Sequence, residues 1–113
     1  MNRFVHVGFS FPGPPKMRDL EPVFTQLSQD WLRYSSTNWI LWTDKSLEEI
    51  MAGVNPHLDD PDQVFMVPFD LSTQVLGIIS PWIWDWMRNK GSTIITGNTL
   101  KEIFDKSQQL PKS

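Results

Sequence analysis

"DWLRYSSTNWILWTD", residues 30–44, decides the fold. Trp31 and Arg33 alternate with Leu32 and Tyr34, and Asn38, Ile40 and Trp42 alternate with Trp39 and Leu41. A period of two sends successive side chains to opposite faces of a strand. Between the two runs, Ser35 to Asn38 supply turn residues. The stretch reads as a hairpin with a short first strand. The alternative is that a preceding helix continues through Tyr34 and only one strand follows.

Upstream, "RFVHVGFSF" (3–11) is a nearly continuous β-rich run, stopped by the stiff loop "PGPP" (12–15). A helix is expected from about Leu20, with Asp19 as its cap and Pro22 in the first turn, where a missing N–H costs little. Leu20, Val23, Phe24 and Leu27 mark its apolar face. Downstream, "SLEE" (46–49) spells a capping box, with Leu47, Ile50, Met51 and Val54 as the apolar stripe behind it. Asn55-Pro56 ends or bends that helix. "LDDPD" (58–62) is an acidic turn, and "QVFMVPFD" (63–70) reads as a buried strand in which Pro68 marks an edge or an end. "LSTQVLG" (71–77) is a loop.

Ser80-Pro81 opens a further helix, a hydroxyl cap followed by proline at the first position. On it, Trp82, Ile83, Trp86 and Met87 share one broad face, so Trp82 and Trp86 are expected in the core. Trp84 and Arg88 lie off that face at a spacing that suits a cation–π pair. "STIIT" (92–96) is a short β run, "TLKE" (99–102) a second capping box opening a short helix with Leu100, Ile103 and Phe104, and "QQLPKS" a frayed tail.

The 113 residues suit one domain, with a core of about 3–90 and a C-terminal extension over 91–113. Six Trp and seven Phe make the core residues large. A net charge of -3, with ten Lys and Arg scattered from Arg3 to Lys112, does not provide the basic stripe of a typical nucleic-acid binder. With no Cys, disulfides, thiolate catalysis and Cys-ligated zinc are excluded. The start shows no signal-peptide pattern, and no stretch nears the roughly 18 apolar residues of a spanning helix. A cytoplasmic protein with no membrane segment is expected.

The order is β-α-β-β-α-β, then an added C-terminal helix and a short tail. That is the α+β, ferredoxin-like pattern. Over roughly residues 1–90, the short aromatic first strand, the "TNWILWTD" strand ending at Asp44, the "SLEEI" helix, "PHLDDPDQVFMV" and a "WIWDWMR" helix resemble the small bacterial proteins called SinR-like. These are relatives of the CRISPR-associated protein 2 and virulence-associated protein D families. The resemblance implies a symmetric dimer built partly through sheet edges. In some members it also implies a metal-dependent nuclease whose key acid ends the first strand. Paired carboxylates there hold Mg²⁺ and activate water. The matching stretch here offers Gly8, Phe9, Ser10 and Phe11. It has no acid, and Ser10 cannot replace a carboxylate as an anionic ligand.

The other candidates have plain readings. His6 fits a half-buried strand position, and His57 suits a helix end. Asp59, Asp60 and Asp62 are the candidate metal acids, but "DDPDQVFMV" lacks the alternating oxygens of a calcium loop, so solvated turn acids are expected. Asp44 is either a cap participant or a catalytic ligand. Ser10 lies in no nucleophile motif. Trp39 and Trp42 could stack on bases, but they alternate to opposite faces, so at least one belongs to the core. Trp84, Arg88 and Trp39 are the candidate interface residues. The expected function is therefore a non-catalytic homodimeric structural or interaction module of bacterial or phage origin, without cofactor. The alternatives are a Mg²⁺-dependent endonuclease and a nucleic-acid-binding module that does not cleave.

Overall fold

A computed structural model describes residues 1–72 and 75–91. The chain divides into two compact units, Met1–Phe69 and Asp70–Ser113. The first is an α+β unit of strands β1 (Arg3–Ser10), β2 (Asp30–Ser35), β3 (Asn38–Thr43) and β4 (Gln63–Phe69), with helices α1 (Met17–Leu27) and α2 (Leu47–Val54). A 3₁₀ turn, Asn55–His57, follows α2 at the Asn55-Pro56 step. The second unit contributes α3 (Pro81–Gly91). The expected strand over 92–96 and helix from 99 lie outside the described residues.

The strands form one antiparallel sheet in the order β2-β3-β1-β4. The hairpin at 30–44 is real: Asp30 pairs with Trp42, Leu32 with Ile40 and Arg33 with Trp39, and the register shifts between Arg33 and Ser35 at the turn. The helix before it ends at Leu27, where the Ser28 N–H and Oγ both donate to the Phe24 carbonyl. That end leaves Asp30 onward free to extend.

Helices α1 and α2 cover one sheet face. Val5, Val7 and Phe9 from β1 and Trp39 and Leu41 from β3 meet Leu20 and Phe24 of α1 and Ile50 and Val54 of α2. Burying each such side chain contributes about 1.5–3 kcal/mol. Phe9, Phe24 and Trp39 sit ring against ring, with Phe9 edge-on to Trp39 at 5.4 Å. Gly53 lets α1 and α2 approach: a Cβ there would stand 2.7 Å from Leu27 Cδ1.

Three local expectations are corrected. First, α1 begins at Met17 with Lys16 as its N-cap, so Asp19 lies inside the first turn and caps nothing, and Pro22 sits inside the helix. Second, β4 is not a buried strand: among the described strands it lies at the sheet edge, one of the two readings Pro68 allowed. Val64 and Met66 pack on the core while Phe65 and Val67 remain 69% and 38% exposed. The apolar run concealed this, because an edge strand with one covered face and a centrally buried strand have similar compositions. Pro68 belongs at such an edge. Third, on α3 Ile83 and Met87 are buried but Trp82 is 52% exposed. Arg88 bonds Asp85 at 2.9 Å rather than stacking on Trp84, and on this helix Lys90 lies over a ring, 5.9 Å from Trp86.

The capping box is present as expected. Ser46 Oγ accepts from the Glu49 N–H at 3.1 Å, and Glu49 Oε1 accepts from the Ser46 N–H at 3.2 Å.

Candidate functional site

The sheet face opposite α1 and α2 carries the even-numbered residues of β1. Phe4 is tilted against Trp42 at 4.8 Å and stacked on Phe69 at 5.3 Å, and with Leu32 and Ile40 these side chains make a closed apolar half. The other half is open. There His6, Gly8, Ser10, Asn38, Gln63 and Phe65 line a depression of about 630 Å³. The register explains the grouping. Gly8 pairs with Asn38 on one side and with Phe65 on the other, and Ser10 pairs with Gln63. One row across β3, β1 and β4 therefore reads amide, no side chain, ring.

Each wall of the depression has a defined position. The His6 ring contacts Tyr34, with Nε2 2.5 Å from its hydroxyl. Burial pushes the His6 pKa below its ordinary 6.5 and the Tyr34 pKa above its ordinary 10.0, so both are neutral near pH 7. Asn38 Nδ2 donates to Ser35 Oγ at 2.8 Å, which turns Oδ1 toward β1. A Cβ on Gly8 would lie 2.8 Å from that oxygen and 3.2 Å from His6 Cε1, so only glycine leaves the floor clear. Among the described residues, no charged side chain lines the depression. Sequence reasoning noted His6, Gly8 and Ser10 singly but missed the site, because strand pairing across 3–69 assembles it.

The candidate acids do not meet within the chain. Asp44 is exposed just past Thr43, which pairs with Arg3, while Asp62 precedes Gln63, which pairs with Ser10. Those rows lie at opposite ends of β1, roughly 23 Å apart at 3.3 Å per residue. Helix α2 is capped by Ser46, so Asp44 is not its cap.

Asp62 is not a solvated turn acid. Its Oδ2 accepts from Lys16 Nζ at 2.5 Å and from the Asp59 N–H at 2.9 Å, and its side chain is 6% exposed. Lys16 also reaches Asp59 Oδ2 at 2.9 Å and the His57 carbonyl at 3.2 Å. The Lys16 hydrogen bond, then the Asp59 N–H, hold the Asp62 carboxyl below its usual range. Asp59 and Asp60 are exposed, and the Asp60-Pro61 peptide is cis. Among the described residues, no three His, Cys, Asp or Glu side chains are grouped to hold a metal.

Of the candidate interface residues, Trp39 is fully buried under α1, its indole N–H donating to Glu21 Oε2 at 3.1 Å. It presents no surface to a partner. Trp84 and Arg88 are partly exposed on α3. No described helix is long and apolar enough to cross a membrane. Compared with known proteins, the chain matches no family model, no curated protein and no solved structure.

Proposed function

We propose that the chain has the ferredoxin-like fold and works as a non-catalytic interaction module that pairs with its own copy through the β4 edge. The strand order and the β-α-β-β-α-β succession support the fold, as does the resemblance to SinR-like relatives of CRISPR-associated protein 2.

The observation that carries the function is the edge itself. Among the described residues β4 pairs with β1 on one side only, and its seven residues, "QVFMVPF", include no charge. An uncharged, unpaired edge is a template for another strand; sheet proteins ordinarily blunt such edges with charged side chains or proline, and β4 carries only Pro68, near its end. Proline fits β4 where its missing N–H faces away from β1. The strand period then sends the Val64 and Met66 N–H groups outward too. An antiparallel copy of β4 satisfies both around a twofold axis and leaves the open sheet face uncovered.

Light scattering at micromolar concentration is expected to give the dimer mass, and Val67→Lys, which puts a cation into the seam, the monomer mass. A monomer mass for the unsubstituted chain overturns the reading. The nuclease alternative is tested with labelled RNA and duplex DNA in Mg²⁺, Mn²⁺ and EDTA. Metal-dependent cleavage lost in Asp44→Ala overturns the non-catalytic reading.

A further inference from the structure

Edge pairing leaves one feature unexplained, an aromatic ring standing 69% exposed over an uncharged depression. We propose that this depression binds a free nucleoside, its base laid against Phe65 and read at its edge by Asn38 and Gln63. The inference does not depend on self-association.

The row Asn38–Gly8–Phe65 spans two strand spacings, about 10 Å, with Asn38 Oδ1 and the His6 ring leaning over Gly8 and the free width between them and Phe65. The depression, about 630 Å³, has room for a flat heterocycle with its edge toward Asn38 and its face toward Phe65. Phe65 supplies the stacking face, a contact worth about 1–3 kcal/mol per base. Asn38 Oδ1 stands fixed above Gly8 as an acceptor, because Ser35 holds the other end of the amide. Gln63, on the neighbouring row beside Ser10, adds a second amide able to donate and accept. Heterocycles with alternating donors and acceptors on one edge match such a pair. Charge decides between ligands: with no cation among the described lining residues and His6 neutral, the site favours an uncharged ligand over a phosphate. The base is therefore bound without help from a phosphodiester backbone.

The test is an amide NMR titration of the ¹⁵N-labelled protein with adenosine, guanosine, cytidine and uridine, repeated with the four 5′-monophosphates and with a short single-stranded oligonucleotide. The expected result is saturable shifts at Gly8, Asn38, Gln63 and Phe65 for at least one nucleoside. Its affinity should be unchanged by the 5′-phosphate and flat with salt. Phe65→Ala, which removes an exposed ring and leaves the core intact, should weaken binding about tenfold or more. Gly8→Val, which fills the slot floor, should abolish it. The inference is overturned by an absence of shifts at millimolar nucleoside. Shifts centred elsewhere overturn it, as does oligonucleotide binding that is tighter and falls steeply with salt.

Discussion

At the residue scale, Lys16 and Asp62 show how a local sequence reading goes astray. "LDDPD" looks like an acidic turn in water, and two of its acids are in fact held by a lysine more than forty positions away. Asp62 has its pKa lowered on folding, so its stabilising contribution is complete above the unfolded carboxylate value of about 3.9 and is lost as pH falls through the lower folded value. Asp62→Asn should narrow the difference between urea midpoints at pH 7 and pH 3. Equal differences in variant and parent would mean that the contact contributes nothing. His6 follows the same sign for a different cause. Burial lowers its pKa, so the stability gained by keeping it neutral is present above about 6.5 and declines as pH drops below. In an NMR titration the His6 ring should change its shifts below pH 6.5, and Tyr34→Phe, which removes its hydroxyl partner, should move that midpoint.

At the element scale, strand and helix identity were legible where pattern and punctuation agreed. The hairpin, the Ser46 capping box and the helix opened by Ser80-Pro81 all carry both signals. The start of α1 did not, because Asp19 is a better cap by type than Lys16, yet Lys16 is placed by its contacts with the 57–62 turn. Tertiary contact overrode capping preference. β4 teaches the complementary lesson, since composition reports an apolar strand but not whether a neighbour follows. Its Pro68 limits how far the edge can template another chain. Pro68→Thr should therefore convert defined pairing into open-ended association, seen as growth in scattering mass over time. An unchanged mass would show that Pro68 does not limit the edge.

At the scale of the whole molecule, the helix-covered face of the sheet hangs on Trp39. It touches Phe9 and Phe24, lies beneath α1 and satisfies its indole N–H at Glu21. Trp39→Ala should cost about 3–5 kcal/mol in urea unfolding, by lost transfer energy and the cavity left behind. A loss below about 1 kcal/mol would mean that the core collapses onto the gap. The sequence by itself determined the succession β-α-β-β-α-β, the hairpin turn and the large-ring core, because turn chemistry and side-chain periodicity act over a few residues. Only the tertiary structure decided that β4 lies at an edge, that Asp44 and Asp62 sit at opposite ends of the sheet, and that Gly8 opens a slot between Asn38 and Phe65. Those depend on which strands become neighbours and in what register, and register is set by side chains from distant segments packing against one another.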